Sequence, residues 1–201
     1  MSKDGVSILT RADIENLRKE RLLLIEPLLS PAQIDPMGVD LRLDNYFGEF
    51  VRTSEPFLSP AHQGQGLKFT EKEFFHESYF LQPGEFVLGQ SFEYIVLPNN
   101  VIGFLNGKSS LGRRGLVVHA TANVIDPGWK GHIVFELANL GTMPLELMPL
   151  MKIARLVFFK GNEVVGYGGT FTGQIRILPP KPDEELVQIK QWKKSQEEHK
   201  S

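Results

Sequence analysis

The feature that most constrains this chain is a series of short β-type segments that begins at Val39. Each segment is rich in apolar, β-branched or aromatic residues, and Gly, Pro or Asn residues separate the segments from one another. Predicted strands cover Val39–Leu43, Tyr46–Val51, Glu85–Leu88, Glu93–Leu97, Leu116–Ile125, His132–Ala138, Ile153–Phe159 and Ile175–Leu178. Closely spaced short strands with turn residues between them predict an all-β barrel or sandwich.

Helices are predicted near the two ends of the chain. Thr10 and Asp13 have the spacing of a capping box, which predicts a short helix from Arg11 to about Glu20. Asp183–Glu198 is charged and follows several prolines, so it is predicted to be a surface helix or a frayed tail. A chain of 201 residues is long enough for one core. We therefore expect a single domain over residues 1–180 and a charged segment over residues 181–201.

The composition excludes some classes of site. The chain contains no cysteine, which excludes disulfides and the thiolate zinc sites of zinc-dependent nucleobase deaminases. The formal net charge of −2 gives no overall basic field for a nucleic-acid polymer, so a phosphate-bearing ligand would need a local cluster of cations. No apolar run approaches the roughly 20 residues that cross a bilayer, and the first ten residues lack a secretory apolar segment. A cytoplasmic protein is expected.

The first candidate functional segment is Gly107–Gly115, with the sequence GKSSLGRRG. Its Ser hydroxyls, its cations and its backbone N–H groups are of the kinds that hold phosphate oxygens. The segment is not a Walker A motif, because position 102 is Ile rather than Gly. Spacing alone slightly favours a basic, Gly-rich surface loop, so both interpretations stay open.

The second candidate segment is Ile125–Gly131, with the sequence IDPGWKG. Pro127 and Gly128 suit the two central positions of a type II turn, and the apolar strands on either side predict a hairpin-like reversal. If the turn stood alone, Asp126 would be interpreted as a turn residue whose carboxylate caps local N–H groups.

The third candidate segment is the strand His132–Asn139. Since successive side chains of a strand alternate between faces, Ile133, Phe135 and Leu137 share one face and Glu136 lies on the other. A carboxylate between apolar neighbours is unexpected in a core strand, and burial moves a carboxyl group toward the pKa range useful for proton transfer. An open solvated face or a Glu–Arg pair explains the pattern equally well.

Together these segments resemble the dCTP deaminase family of the dCTP deaminase/dUTPase superfamily. The resemblance covers roughly Ile8 to Gln174 and is carried by Ile34–Leu43, Leu81–Gly89, Gly107–Leu116, His119–Ala122 and Ile125–Glu136. It implies a distorted β jelly-roll, assembled as a homotrimer with active sites between the subunits. It also implies Mg²⁺ bound through the nucleotide triphosphate, which suits the preference of Mg²⁺ for phosphate oxygens, and a site without zinc.

The resemblance implies roles for individual residues. Glu136 matches the catalytic glutamate, which takes a proton from the attacking water and passes protons to the pyrimidine and the departing ammonia. The backbone carbonyl of Ala122 would orient this water, and Ser109 and Arg113 would position the base and stabilise charge. The residues expected to contact substrate are Lys108, Ser109, Ser110, Leu111, Gly112, Arg113, Asp126, Val134, Phe135, Glu136, Tyr167 and Gln174.

Parts of this set match different parts of the nucleotide. Residues 108–110 match phosphate contacts, and Asp126 matches the residue that bonds the deoxyribose 3′-hydroxyl. Val134 would line the base pocket through its backbone. Tyr167 and Gln174 match the segment that closes over the nucleotide.

Two positions depart from the family pattern. After Ala122, members that only deaminate commonly carry His-Arg, whereas this chain has Asn123-Val124. Bifunctional members, which convert dCTP to dUMP, tend to have Gly and an apolar residue there. Thr170-Phe171 stands where the family usually has Lys-Tyr, and loss of that cation would weaken triphosphate binding by about 1.5–3 kcal/mol.

The function expected first is zinc-independent deamination of dCTP to dUTP and ammonia. The alternative is a dUMP-forming bifunctional deaminase or a dUTP diphosphatase, in which Asp126 activates water for attack on the triphosphate. A non-catalytic nucleotide-binding module ranks last. The expected partners are dCTP or dUTP, further copies of the chain, and dTTP as a feedback inhibitor, with no nucleic-acid polymer and no membrane.

Overall fold

Alternating apolar and polar residues build a strand-rich structure in the computed structural model. It describes residues 5–51, 53–54, 57–61, 68–74, 77–162, 165–169 and 171–198. The strands are β1 Ser7–Ile8, β2 Leu24–Glu26, β3 Ile34–Asp35, β4 Gly38–Val51, β5 Lys68–Glu73, β6 Tyr79–Leu81, β7 Phe86–Val96, β8 Val101–Gly107, β9 Leu116–Val117, β10 Val124–Ile125, β11 Lys130–Asn139, β12 Leu145–Leu147 and β13 Lys152–Lys160. The helices are α1 Arg11–Lys19, α2 Ser109–Gly112 and α3 Glu184–Glu198, and Pro31–Gln33 forms a 3₁₀ turn.

One large antiparallel sheet contains most of these strands. Its central path runs β10-β8-β13-β4-β7-β11-β9, and β12 pairs with β6 in a separate two-stranded sheet. The 14 residues of β4 connect its two halves, because its first part pairs with β13 and its later part pairs with β5 and β7. The sheet curls around one hydrophobic core. The all-β fold expected from the sequence is confirmed.

The core is built from the inward faces of the strands. On β11, Ile133, Phe135 and Leu137 are at most 1% exposed, and on β13 Leu156 and Phe158 are fully buried. Each such side chain contributes about 1.5–3 kcal/mol when it is removed from water. Because the side chains alternate, the residues between them on β11 and β13 face away from the core.

The terminal helices predicted from the sequence are confirmed. The Thr10 side chain accepts a hydrogen bond from the backbone N–H of Asp13, and the Asp13 carboxylate accepts one from the N–H of Thr10 at 2.9 Å. This capping box begins α1. The segment predicted over Asp183–Glu198 forms α3. The division of the chain at residue 180 stays a prediction.

Strand boundaries differ from the prediction in the centre of the sheet. Val39–Leu43 and Tyr46–Val51 belong to one strand, β4, in which a register shift absorbs the polar residues between them. The sequence analysis also missed β8, because Gly103 interrupts the run of apolar residues in this strand. A Cβ at this glycine would lie 3.0 Å from Leu156 Cδ1, so the close packing of β8 against its neighbours favours glycine there.

Two predicted strands are wrong. Leu116–Ile125 pairs only at its ends, as β9 and β10, because residues 118–123 loop around the side chain of Glu136. Ile175–Leu178 is not a strand: the chain there pairs only at Gln174, with Gly131. The prolines at positions 179 and 180 lack the N–H groups that would continue a ladder.

The buried carboxyl group of Glu93 links β7 to β4 and to the 3₁₀ turn through hydrogen bonds. Glu93 is 0% exposed, and its oxygens accept hydrogen bonds from Gln33 Nε2 at 2.8 Å and from the Arg42 N–H at 2.9 Å. Burial raises the pKa of Glu93 above its ordinary value, although these hydrogen bonds act in the opposite direction. Glu93 therefore keeps its proton over a pH range in which the unfolded chain has lost it. Its contribution to stability is present at low pH and is lost as the pH rises through the folded-state pKa.

We predict that Glu93→Gln changes the pH dependence of the free energy of unfolding. Since glutamine does not ionise, the variant should gain stability relative to the wild type as the pH rises from about 4.3, the unfolded pKa of glutamate, toward neutrality. Urea unfolding across this range measures the difference. Glu20→Gln is the control, because Glu20 is exposed and makes no side-chain hydrogen bond in the described structure. A difference as independent of pH as that of the control would contradict the prediction.

Candidate active site

Glu136 is held by the backbone of the segment that wraps around it. Its Oε2 atom accepts hydrogen bonds from the N–H groups of Ala120 at 2.7 Å, Thr121 at 2.8 Å and Ala122 at 3.4 Å. The N–H of Glu136 donates to the Val118 carbonyl at 3.0 Å. Within the described structure Oε1 makes no hydrogen bond, so one oxygen is fixed and the other is left for a ligand.

This arrangement differs from both alternatives that the sequence left open for Glu136. The residue is partly buried rather than fully solvated. Among the described residues it forms no ion pair with an arginine. The loop fixes the direction of its N–H groups, so they orient the carboxylate through charge-assisted hydrogen bonds.

A cavity of about 520 Å³ opens beside Glu136, a volume typical of small-molecule sites. Its walls are mostly apolar and include two carboxylates. The lining residues are Phe50, Phe86, Leu88, Ala122, Val124, Ile125, Asp126, Trp129, Ile133, Val134, Glu136, Tyr167, Phe171, Gln174, Leu178 and Pro180. A second cavity of about 680 Å³ is lined by Glu49, Glu85 and other residues that belong to none of the three candidate segments.

The Asp-Pro-Gly turn supplies one wall of the cavity beside Glu136. The Trp129 N–H donates to the Asp126 carbonyl at 3.1 Å, and Gly128 has a φ of +79°, as a type II turn requires. The expected hairpin is wrong, because β10 pairs with β8 whereas β11 pairs with β7. The Asp126 carboxylate makes no hydrogen bond in the described structure, so it does not cap the turn and is open to a ligand.

The C-terminal part of the chain packs against this turn and also lines the cavity. The Tyr167 N–H donates to the Pro127 carbonyl at 2.7 Å, and the ring of Tyr167 lies 5.6 Å from that of Trp129. Further along, the His132 N–H donates to the Gln174 carbonyl at 3.0 Å. Thr170 lies outside the described residues, so the predicted effect of its substitution for lysine stays a prediction.

The side chain of Gln174 carries an unmatched donor. Gln174 is 5% exposed and lines the cavity, and its Nε2 atom is buried with no hydrogen-bond partner in the described structure. A buried amide without a partner costs about 1–3 kcal/mol. An oxygen or ring nitrogen of a bound ligand would satisfy it, so the cavity is matched to a ligand with hydrogen-bond acceptors.

The structure brings together about half of the residues predicted for the site. The members that line the cavity are Ala122, Asp126, Val134, Glu136, Tyr167 and Gln174. The members that do not line it are Lys108, Ser109, Ser110, Leu111, Gly112, Phe135 and Arg113. Apart from Phe135, the second group is one continuous stretch at the end of β8.

That stretch is one helical turn, α2, rather than the expected loop. Its Leu111 packs against the core. The side chains of Ser109, Ser110 and Arg113 form no hydrogen bond or ion pair in the described structure, and all three residues are exposed. Polar groups with no internal partner are thus presented on the surface outside the cavity.

Two of the residues predicted to contact substrate have other contacts. Phe135 is 0% exposed on the core face of β11, so only its backbone could reach a ligand. The Nζ atom of Lys108 lies 2.9 Å from Asp40 Oδ1, so its charge is already paired. The alternation of side chains along β11 already put Phe135 on the face opposite Glu136. The pairing of Lys108 with Asp40, 68 positions away, does not follow from the motif.

The sequence missed the apolar floor of the cavity. Phe50, Phe86 and Leu88 come from β4 and β7, outside the candidate segments. Leu88 is opposite Glu136 in the β7–β11 register, and this register cannot be read from motif spacing. Trp129 was within a candidate segment and lines the cavity.

The side chains at the cavity fit a metal that arrives with a ligand. No three His, Asp or Glu side chains of the described chain converge in a way that would hold an ion. The lining offers Asp126 as a free carboxylate and Glu136 as one already bound by backbone N–H groups. Mg²⁺ keeps most of its ligands as water and substrate phosphate, for which a single nearby carboxylate suffices.

The curled antiparallel sheet carries a glutamate anchored by backbone N–H groups beside a cavity of small-molecule size. The model of the dCTP deaminase-like family matches residues 8–161. The chain belongs to the dCTP deaminase-like family. The resemblance stated from the sequence motifs is thereby confirmed.

Related proteins extend this match beyond the family model. The chain is 41% identical over 171 residues to a dUMP-forming dCTP deaminase of Pseudarthrobacter chlorophenolicus, covering 82% of this chain and 87% of the relative. It is 42% identical over 154 residues to a dCTP deaminase of Haloarcula marismortui, covering 75% and 79%. A crystal structure of 2'-deoxycytidine 5'-triphosphate deaminase from Agrobacterium tumefaciens has a TM-score of 0.60 at 23% identity. That match covers 78% of this chain and 47% of the other and supports the fold.

No helix in the described parts of the chain has the length and apolarity needed to span a membrane.

We predict that Gly131→Ala disturbs the C-terminal wall. Gly131 has a φ of +144°, and an added Cβ would lie 2.9 Å from the Gln174 carbonyl oxygen. The variant should lose about 1–3 kcal/mol of stability in urea unfolding, with faster hydrogen exchange at the His132 N–H. Gly161→Ala is the control, since nothing lies within 4 Å of its Cβ position and its φ is not positive. Equal stability of the two variants would contradict the prediction.

Proposed function

We propose that this chain hydrolyses the exocyclic C–N bond of dCTP, releasing ammonia without a zinc ion. The observation that carries the proposal is Glu136, with one carboxylate oxygen anchored by three backbone N–H groups and the other without a partner among the described residues, beside the cavity. A carboxylate held in this way is suited to shuttle protons for a water molecule. Its family membership points to the same reaction.

In the proposed reaction, Glu136 acts as both base and acid. Oε1 takes a proton from a water molecule whose oxygen bonds to C4 of the cytosine ring. The same proton reaches the ring nitrogen, and a second proton transfer from the new hydroxyl to the amino group lets ammonia leave. The balance is dCTP and water giving dUTP and ammonia. The Ala122 carbonyl is assigned to orient the water, and the Gln174 amide to donate to an acceptor of the nucleotide.

The nucleotide site is proposed to be completed by a second copy of the chain. Ser109, Ser110 and Arg113 match nucleotide contacts, yet they lie outside the cavity of their own chain, and their side chains form no hydrogen bond or ion pair among the described residues. In a homotrimer they would reach the cavity of a neighbouring subunit, where the hydroxyls and the guanidinium would bind phosphate and base. Mg²⁺ would enter bound to the triphosphate and neutralise part of its charge.

An apolar outer face supports this assembly. On β8 and β13 the cross-strand pairs Val157–Phe104 and Phe159–Ile102 point away from the core. The rings of Phe104 and Phe159 are 5.2 Å apart. The opposite face of the same two strands is already packed in the core. A sheet with apolar residues on both faces is stabilised when a second chain covers the outer one.

The product proposed is dUMP rather than dUTP. The sequence alone placed dUTP first, but seven related proteins bear the name dCTP deaminase, dUMP-forming, while the Haloarcula marismortui relative bears the name dCTP deaminase. Asp126 gives the same cavity a second carboxylate, unpaired in the part of the chain that the structure describes, which would activate water for attack at the α-phosphate and release pyrophosphate. Val124, the apolar residue typical of bifunctional members, also lines the cavity. Inhibition by dTTP and a cytoplasmic location stay predictions.

We predict opposite effects of Glu136→Gln and Asp126→Asn. Glu136→Gln should lower ammonia release from dCTP by roughly 10²–10⁴-fold, the range for a general acid–base group, while dUTP is still cleaved to dUMP. Asp126→Asn should release ammonia from dCTP but lose pyrophosphate release. Ammonia and pyrophosphate assays with separation of the nucleotides measure both reactions.

The two assays test different parts of the proposal. Wild-type protein that releases ammonia but no pyrophosphate would return dUTP as the product. Ammonia release unchanged by Glu136→Gln would remove Glu136 from the reaction.

We predict that Phe104→Lys dissociates the assembly, because it places a charge in the apolar outer face of β8. Light scattering should report the mass of one chain, and ammonia release should fall with it. Phe80→Lys is the matched control: Phe80 is 57% exposed on β6, which among the described strands pairs with β12 alone. A Phe104→Lys protein that keeps the wild-type mass would contradict the proposed interface.

A further inference from the structure

Strand β7 contains a bulge at the point where it changes partners. Its C-terminal part pairs with β2, whereas its N-terminal part pairs with β4. On its other side, a single residue separates His132 from Val134 of β11. Three residues separate Tyr94 from Gln90, which are their partners on β7. Bulges bend a strand and re-aim the side chains beside it, and they are frequent next to active sites.

The hydroxyl of Ser91 closes this bulge. Ser91 is 0% exposed, and its Oγ atom accepts a hydrogen bond from the Ile133 N–H at 2.8 Å. The same hydroxyl donates to the Glu93 carbonyl at 2.7 Å, across the extra residues of β7. In a regular ladder a backbone carbonyl would receive the Ile133 N–H. Because a buried N–H without an acceptor is unfavourable, the bulge depends on the Ser91 side chain.

The backbone carbonyl of Ser91 adds a second link to β11. It accepts a hydrogen bond from His132 Nδ1 at 2.7 Å, and because a carbonyl oxygen only accepts, the ring proton lies on Nδ1. The His132 N–H in turn donates to the Gln174 carbonyl at 3.0 Å, and Gln174 lines the cavity. Ser91 is therefore joined to β11 at two consecutive residues and, through His132, to the C-terminal part of the chain.

The part of β11 that follows the bulge forms one side of the cavity. Val134 and Glu136 lie on the same face of the strand and both line the cavity. They have separate supports, since the loop over residues 118–123 holds the Glu136 carboxylate and the bulge holds the strand beside Val134. A pyrimidine lying along Val134 would therefore meet Glu136 at a distance and angle that the bulge sets.

We propose that Ser91 is a positioning residue for deamination, whose hydroxyl closes the β7 bulge and aligns the base-binding part of β11 with Glu136. Ser91 does not line the cavity and acts through Ile133. The role rests on the proposed function, in which Glu136 transfers protons to a pyrimidine held along Val134.

Removal of the hydroxyl tests this role in the assembled full-length protein. Ser91→Ala should lower kcat for ammonia release from dCTP at least about tenfold, because a misaligned base reacts slowly. Its KM should change less than about threefold, because the triphosphate is bound elsewhere. Ser91→Thr retains a hydroxyl and should stay within about threefold of wild type in both constants.

Thr10→Ala is the matched control, because it also removes a hydroxyl that accepts from a backbone N–H, that of Asp13 at 3.4 Å, at the start of α1. It should leave kcat within about threefold of wild type. A smaller loss of kcat in Ser91→Ala than tenfold, an equal loss in Thr10→Ala, or a rise in KM that exceeds the fall in kcat overturns the proposal. Should Ser91→Ala fail to assemble, Ser91→Cys, whose thiol is a weak hydrogen-bonding group, is judged by the same criteria.

Hydrogen exchange at the Ile133 N–H separates this proposal from the proposed function. Exchange should be at least about tenfold faster in Ser91→Ala than in wild type, and within about threefold of wild type in Ser91→Thr and Thr10→Ala. Exchange in Ser91→Ala that matches the wild type overturns the role of the hydroxyl. A wild-type protein that releases no ammonia overturns the proposed function and leaves the exchange result standing.

Discussion

The alternation of side chains along β11 is the constraint on which the rest of the site depends. Ile133, Phe135 and Leu137 are removed from water on one face, so Glu136 must lie on the other. A slip of one residue in the pairing with β7 would exchange these faces and bury a carboxylate in the core. The hydrophobic core therefore fixes the position of Glu136, the proposed acid–base group. The loop over residues 118–123 then closes around a side chain whose position the strand has already determined.

The side chains of β8 and β13 also alternate between two faces, but here both faces are apolar. Their inward residues complete the core, and their outward residues form a second apolar surface that carries Phe104 and Phe159. The cluster of cations paired with Asp40 lies on the adjoining part of the sheet, since Arg155 of β13 is opposite Asp40 of β4. The apolar surface, this cluster and α2 follow one another along neighbouring strands. The chain thereby places its unpaired polar groups next to the surface proposed to meet another copy.

Local patterns predicted the local features of this protein. The capping box at Thr10 gave α1, the Asp-Pro-Gly sequence gave a type II turn, and the period of β11 gave the face of Glu136. Features that depend on contacts between residues distant in the sequence could not be predicted. Lys108 meets Asp40 across 68 positions, and Leu88 faces Glu136 only through strand register. The strand predicted over Leu116–Ile125 failed for the same reason, because its apolar residues match a strand while its N–H groups bond to a side chain that is distant in sequence.

The anchor of Glu136 is made of main-chain N–H groups, and this has a consequence for how the family can diversify. Any amino acid except proline supplies the same donor, so positions 120–122 can change side chain while the carboxylate stays fixed. Ala122 is also part of the cavity wall. Natural variation there can reshape what the pocket admits without disturbing Glu136, the group proposed to perform the chemistry, so selectivity can evolve separately from reactivity.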